Sequence, residues 1–300
     1  MSDQHPSWLE PPPRPDLPRP DLPPPRPDQI SPWGTPRPSG PWTAQVPSPG
    51  LAAPPAPAVA AERPKADWSW WLALLVFIGG IFLSGLVGVG LAALAKGGGM
   101  YYVVGIIGEF LPMGLLLLWL NTGHAGWQAV IGFPTRFWKE AGVGVIGGLA
   151  VYGATAIGIG MALYAIFHLI TGRDVSTPEQ LPGELSGIRL VLAFVLVVVA
   201  APIAEEFFFR GCLFGAMRSR APFWLAAVGS SVVFGLAHWD PGSETDPVPV
   251  ADALLLVTMM FFVGCGLAYV YEKRGNIVAC MAAHATFNLL GLGFIVLGVG

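Results

Sequence analysis

Two adjacent glutamates lie in an apolar segment that is long enough to span a membrane. Glu205 and Glu206 stand in the run Ala-Pro-Ile-Ala-Glu-Glu-Phe-Phe-Phe-Arg-Gly, in which the arginine is Arg210. Carboxylates at membrane depth are costly to bury and are rarely retained without a functional role. Later apolar segments contribute three more polar side chains, which are His238, His284 and Asn288. A carboxylate base, two imidazoles, a carboxamide and an arginine are the inventory of a hydrolase active site inside a membrane.

The spacing within the first segment predicts different roles for the two acids. Glu206 and Arg210 are four residues apart, so they share a helix face and can neutralise each other in a low dielectric. Glu205 points about 100° away and has no cation in its own helix. Burial without a cation makes a carboxylate a better proton acceptor near neutral pH. We therefore predict that Glu205 is the general base and that Glu206 is structural.

The other polar residues are expected to reach the same depth. A helical hairpin should turn near Pro222, and Glu205 and His238 each lie about 24–26 Å of helix from that turn. His284 and Asn288 are four residues apart, share a face and can both donate to one developing oxyanion. For His284 to meet Glu205, the hairpin must project about 10 Å, which places the site about 13–15 Å below the cytoplasmic surface.

The order of these residues resembles a known family. Glu-Glu-x-x-x-Arg, Phe-x-x-x-His and His-x-x-x-Asn, on successive membrane helices, resemble the three motifs of the CPBP family. This family includes the type II CAAX prenyl endopeptidases and the bacteriocin-processing or Abi proteins, and the resemblance covers roughly residues 187–290. It implies an intramembrane endopeptidase that acts on a membrane-associated protein or peptide, of prenylated or CAAX-like type.

The resemblance also implies roles for individual residues. The position matching Glu205, together with the one matching His238, would activate water, and those matching His284 and Asn288 would form the oxyanion hole. Glu205, His238 and His284 would also make a His-His-Glu zinc set, with water as the fourth ligand. Whether Zn²⁺ is required stays open at this stage.

Composition indicates a polytopic, all-α transmembrane bundle. The chain of 300 residues is 53% hydrophobic and 12% charged, with a mean hydropathy of +0.59. Its net charge of -3 does not favour a nucleic-acid partner. The three cysteines lack metal-type spacing and are interpreted as packed thiols.

Seven apolar helices are predicted after the first 66 residues. Their approximate ranges are 69–95, 100–120, 140–170, 187–219, 222–239, 250–272 and 276–298. The last segment could instead break near Gly291, which would make eight helices. We therefore divide the chain into an arm at 1–66 and a transmembrane protease-like domain at 67–300, with the motif core at 187–290.

The N-terminal arm is rich in proline. Residues 1–66 hold 21 of the 30 prolines and lack the apolar surface needed for a core. Such a segment is expected to be a disordered, extended arm, either a solvated spacer or a docking site for a proline-recognising partner.

Basic residues near the helix ends predict the orientation. Four pairs fall on one side, namely Arg63 with Lys65, Arg136 with Lys139, Arg218 with Arg220, and Lys273 with Arg274. The positive-inside rule then predicts a multi-pass protein of the cell membrane whose N-terminus is cytoplasmic.

Two other classes of protein would also retain buried polar residues. A catalytically silent scaffold or immunity protein is one alternative, and a proton-coupled transporter is the other. A transporter of the common kind predicts inverted repeats, and no clear internal repeat is present. Glu109, another acid in an apolar segment, has no motif around it, so both a structural role and a substrate contact remain open.

Overall fold

The computed structural model describes residues 64–94, 99–178, 181, 185–242 and 247–298. Within these ranges the chain is helical and forms no strand apart from an isolated bridge between Gly242 and Pro247. The predicted all-α class is therefore confirmed. A chain that crosses lipid must satisfy its own backbone hydrogen bonds, and long apolar segments do so as helices.

Eight helical elements follow one another along the described chain. They are α1 (Trp70–Leu94), α2 (Met100–Gly123), α3 (Trp127–Ile131), α4 (Phe137–Thr171), α5 (Gly187–Arg218), α6 (Phe223–Ala237), α7 (Val250–Arg274) and α8 (Ile277–Leu297). The seven predicted apolar helices are all present, and the short α3 was not predicted. α8 runs unbroken through Gly291, so the alternative of a split last helix is wrong.

Six of these helices are long and apolar enough to cross a membrane: α1, α2, α4, α5, α7 and α8. α6 is apolar but has only 15 residues, which is about 22 Å of helix. It is therefore shorter than a typical span of about 20 residues. The structure thus describes a multi-pass membrane protein with six candidate spans and one shorter apolar helix.

The helix α5 is not uniformly wound. Two stretches of wider, π-helical turns, Val195–Ala200 and Phe207–Phe214, flank an ordinary turn at Ala201–Glu206. The sequence analysis treated this segment as a regular helix. Wide turns inside helices are frequent at functional sites because they re-aim side chains. Here they flank the turn that carries both glutamates.

Glycines allow α4 to approach α8 closely. A Cβ atom at Gly144 or Gly148 would collide with the backbone carbonyls of Ala279 and Ala283. Small residues at such positions permit the tight backbone packing that is typical of membrane helix pairs. This contact fixes the position of α8, which carries His284.

Several basic helix ends lie together at one end of the bundle. Arg218 at the end of α5 pairs with Glu272 of α7 at 3.0 Å. Arg274 pairs with Glu140 of α4 at 2.7 Å. The structure thus groups the ends whose basic residues predict the cytoplasmic side, while the sidedness itself stays a prediction.

The predicted arm falls mainly outside the described residues, which begin at Pro64. Close to that start, the backbone N–H of Ala66 donates to Ser219 Oγ at 2.8 Å. The indole N–H of buried Trp68 donates to the Cys212 carbonyl oxygen at 3.0 Å. These two bonds attach the segment before α1 to the C-terminal part of α5.

Candidate active site

A cavity of about 500 Å³ lies between α1, α2, α5 and the end of α6. Its walls are partly apolar, with Phe77 and Ile81 contributed by α1. The lining also includes five polar or titratable side chains, which are Tyr101, Glu109, Glu205, His238 and Asp240. No lysine or arginine lines the cavity in the part of the chain that the structure describes. The cavity therefore combines three carboxyl groups with a single imidazole.

Glu205 presents a carboxylate oxygen that accepts no hydrogen bond from the residues that the structure describes. Its side chain is 17% exposed, and its Oε2 is buried without a hydrogen-bond partner among the described residues. The nearest basic atom recorded is His284 Nε2, at 4.0 Å from Oε2. A buried carboxylate oxygen is expected to find a hydrogen-bond donor, and a water molecule in the cavity can supply one.

His238 follows the last residue of α6 and has a defined tautomer. Its Nδ1 lies 2.8 Å from the carbonyl oxygen of Phe234. A carbonyl oxygen only accepts hydrogen bonds, so Nδ1 carries the hydrogen. In the neutral ring, Nε2 is then left as an acceptor. The ring that lines the cavity can therefore take up a proton.

Glu206 is the centre of a buried polar cluster on the other side of α5. Its Oε1 accepts from His284 Nδ1 at 2.8 Å, and its Oε2 accepts from the Cys280 thiol at 2.8 Å. Arg210 Nη1 lies 3.0 Å from Oε1, but its N–H is not directed at that oxygen, so the contact is an ion pair without a hydrogen bond. Both charged side chains are almost completely buried, at 0% and 1% exposure.

Arg210 also connects α5 to two neighbouring helices. Its Nη2 donates to the Gly264 carbonyl oxygen of α7 at 3.2 Å. Its guanidinium carbon lies 4.5 Å from the ring centroid of Phe234 on α6, which is a cation–π distance. The arginine therefore stabilises the packing around the site and does not line the cavity.

His284 and Asn288 lie outside the cavity lining. His284 sits between the two glutamates, because Nδ1 contacts Glu206 and Nε2 faces Glu205. The Asn288 amide donates to the carbonyl oxygen of Val197, in a wide turn of α5, at 2.8 Å. Each side chain therefore already donates to a protein acceptor. Their assignment to an oxyanion hole stays a prediction.

The described residues contain no preformed zinc set. They contain no group of three or more His, Cys, Asp and Glu side chains arranged to hold a metal ion. In His284, Nδ1 is engaged with Glu206, and Nε2 lies 4.0 Å from the Glu205 oxygen. Two ligands of one tetrahedral zinc ion lie about 3.4 Å apart, and a ligating histidine commonly donates its other ring N–H to a carboxylate. The zinc set stays a prediction.

Two residues near the site were not assigned a role from the sequence. Glu109 of α2 lines the same cavity as Glu205. In the sequence, the only indication of a role for Glu109 was that an acid stands in a membrane segment. Cys280 contacts Glu206 and lies four residues before His284. That spacing places both residues on one face of α8 and could have indicated the contact.

Part of the cavity rim lies at the end of the bundle opposite the basic helix ends. Tyr101 near the start of α2 and Trp239 after α6 both line the cavity and are exposed. Glu205 lies 13 residues before Arg218, about 20 Å of helix from the basic end. The expected matching depths of Glu205, His238 and His284 agree with the shared cavity and the 4.0 Å contact, whereas the depth of the site below the cytoplasmic surface stays a prediction.

Comparison with known proteins identifies the segment that carries these residues. Residues 187–290 match the family model described as type II CAAX prenyl endopeptidase, Rce1-like. The resemblance inferred from the three motifs is therefore confirmed over this segment. All six predicted site residues from Glu205 to Asn288 lie within it.

Three curated proteins are also similar to the chain. A Bacillus subtilis protein named "Putative membrane peptidase YdiL" is 28% identical over 125 residues, which cover 42% of this chain and 44% of that protein. An uncharacterized protein of Mycoplasma capricolum is 28% identical over 40% of this chain and 32% of its own length. An uncharacterized 24.3 kDa protein of Escherichia coli is 25% identical over 50% of this chain and 68% of its own length. The chain thus spans less than half the length of the first two, and no solved structure matches it significantly.

Proposed function

We propose that this chain, whose residues 187–290 match the type II CAAX prenyl endopeptidase model, is an intramembrane endopeptidase. One observation carries the proposal. Glu205, with a carboxylate oxygen that lacks a hydrogen-bond partner among the described residues, and His238, with a proton-accepting imidazole, line one cavity in an apolar bundle. The name of the Bacillus subtilis relative, a membrane peptidase, supports the same reaction class.

The reaction begins with a water molecule in the cavity. Glu205, assisted by His238, removes a proton from the water, and the oxygen attacks the carbonyl carbon of the scissile peptide bond. The C–N bond of the tetrahedral intermediate then breaks, and the leaving nitrogen takes up a proton. In the role implied by the family resemblance, Asn288 donates to the developing oxyanion, and so does His284 from Nε2 in its imidazolium form, which has a hydrogen on both ring nitrogens.

Glu206 acts through His284 in this scheme. The carboxylate accepts from Nδ1, which keeps a hydrogen on that nitrogen and fixes the orientation of the ring. The opposite ring nitrogen, Nε2, then faces Glu205. Arg210 keeps Glu206 ionised by pairing with it in a fully buried environment. The Glu206–Arg210 pair is therefore a positioning device.

The substrate is a membrane-associated protein or peptide. The matched family model is that of CAAX prenyl endopeptidases, which favours a prenylated or CAAX-like chain as the substrate class. A cavity that lies within an apolar bundle is reached most readily by a segment already bound to the bilayer. Residues 1–66 would have a separate function, which is to bind a proline-recognising partner.

The test compares membranes that contain the wild-type protein with membranes that contain Glu205→Gln. Quantitative membrane proteomics should reveal a fragment that forms only with the wild type. A peptide that spans this bond should be cleaved by purified wild type and at least about 10²-fold more slowly by the variant. Among the described residues, Glu205 Oε2 has no hydrogen-bond partner that the change to glutamine would remove. Detergent should therefore extract the folded variant from membranes in wild-type yield. A fully active, folded Glu205→Gln protein would exclude the proposed chemistry.

A further inference from the structure

We infer that Glu109 is the general acid of this site and donates a proton to the nitrogen of the leaving peptide. The inference rests on the proposed function and adds a catalytic residue to it. Glu109 lies outside residues 187–290, the segment matched by the family model. The assignment therefore comes from the position of the side chain in the cavity and not from a motif.

The position of Glu109 is fixed by the packing of α2 against α1. A Cβ atom at Gly80 of α1 would lie 2.5 Å from the Pro112 Cα of α2, so the two backbones are in close contact there. Pro112 follows Glu109 by three residues and lines the same cavity. The helix turn that carries the acid is therefore held in the wall of the cavity that Glu205 of α5 also lines.

The charge balance of the cavity requires one of the acids to retain its proton. Four other titratable groups line the cavity with Glu109. They are Tyr101 from the same helix, Glu205, His238 and Asp240. In the described ranges no lysine or arginine joins them. Two carboxylates that share a cavity inside a helix bundle, without a lysine or arginine beside them, do not both ionise readily, so one is held in the protonated form.

The surroundings distinguish the two deep acids. Glu205 has a histidine nitrogen, His284 Nε2, 4.0 Å from its Oε2. An imidazolium carries a hydrogen on both ring nitrogens, and in that form His284 stabilises both carboxylates, Glu206 through Nδ1 and Glu205 through Nε2. Among the described residues, no Lys, Arg or His nitrogen lies within 4.0 Å of the Glu109 carboxyl group. Glu205 is thus the carboxylate that accepts a proton, and Glu109 is the carboxylic acid that donates one. Paired acids with separated roles are a recurrent arrangement in hydrolases.

The proton balance of the cycle closes with this pair. Glu205 takes a proton from water as the C–O bond forms, and Glu109 gives its proton to the nitrogen as the C–N bond breaks. The products are a carboxylic acid and an amine. The proton on Glu205 then returns to Glu109 through water in the cavity, which restores one proton on the pair.

The experiment depends on the leaving group. The probe is a peptide that spans the bond whose cleavage is lost in Glu205→Gln membranes. A second probe carries the same acyl half as an activated aryl ester. An amine must be protonated to leave, whereas an aryl oxide leaves without a proton. Glu109→Gln should therefore lower kcat on the peptide by about 10²–10⁴-fold and change ester hydrolysis far less.

Two further variants make the outcome specific. Glu205→Gln should lose activity on both probes, because both reactions need the base. Asp240→Asn removes another carboxylate from the same cavity and retains the side-chain oxygen that accepts from Gly242 N–H. It should keep the wild-type ratio of peptide to ester rates, so a general effect of cavity charge is distinguished from proton donation.

Each other result has a definite meaning. An equal loss on both probes in Glu109→Gln would show a structural role and overturn the inference. Wild-type peptide cleavage by that variant would overturn it as well. Full activity of Glu205→Gln would instead contradict the proposed function itself, which separates the two failures.

Discussion

Removing the charge of Glu206 should destabilise the bundle more than any exposed charge change. Glu206 and Arg210 are 0% and 1% exposed, and the change Glu206→Gln leaves the arginine buried without its counter-ion. Loss of one partner of a buried pair costs about 3–5 kcal/mol of the free energy of unfolding. The glutamine oxygen can still accept from His284, and Arg210 keeps its bond to the Gly264 carbonyl oxygen. We therefore expect a loss near the lower limit, about 3 kcal/mol.

Buried thiols provide the assay. Cys212 and Cys280 are fully buried in the described structure, so a thiol-reactive dye will label them when the bundle opens. Denaturant titration of detergent-solubilised protein, followed by dye reaction, gives the free energy of unfolding. Cys280 contacts Glu206, so its reactivity can change near the substituted residue without unfolding. Labelling should therefore also be measured after Cys280→Ala is introduced into the wild type and into Glu206→Gln.

Two controls define the origin of the loss. The double variant Glu206→Gln with Arg210→Met removes both charges, and it should recover much of the stability because no uncompensated ion remains. Glu272→Gln affects the Arg218–Glu272 pair, whose side chains are 23% and 40% exposed for Glu272 and Arg218. It should cost about 1 kcal/mol or less. A single Glu206→Gln variant within about 1 kcal/mol of the wild type would refute the electrostatic reasoning.

Two further predictions concern packing and sidedness. Gly80→Ala should lower the free energy of unfolding by about 1–3 kcal/mol, because its Cβ would meet the α2 backbone at 2.5 Å. Gly79→Ala is the matched control, since no atom lies within 4 Å of that Cβ position, and equal effects of the two changes would contradict the reasoning. Sidedness can be tested with single cysteines at Ser39 and Ser243 in a protein whose native cysteines are replaced. In intact cells, a cysteine at Ser39 should be shielded from an impermeant thiol reagent, and a cysteine at Ser243 should react with it. The reverse labelling pattern would invert the proposed orientation.

The long apolar helices and the motif residues could be predicted from the amino-acid sequence alone. Long apolar runs must become helices in lipid, because each backbone N–H and C=O needs a partner within the segment. The four-residue spacing of Glu206 and Arg210 was also sufficient, since it describes neighbours on a single helix. Both inferences depend only on local geometry.

Packing between helices determines which helix faces meet, and this could be seen only in the structure. It brought Glu109 into the cavity of Glu205, and it paired His284 with Glu206 through Nδ1. The amide of Asn288 is bonded to the α5 backbone, although its spacing from His284 suggested a joint role in the cavity. Periodicity within one helix fixes which of its residues share a face, but it does not fix the rotation of that face towards a neighbour. That rotation is set by close contacts at small residues and by the wide turns of α5. Packing between helices therefore determines which residues come together in the site.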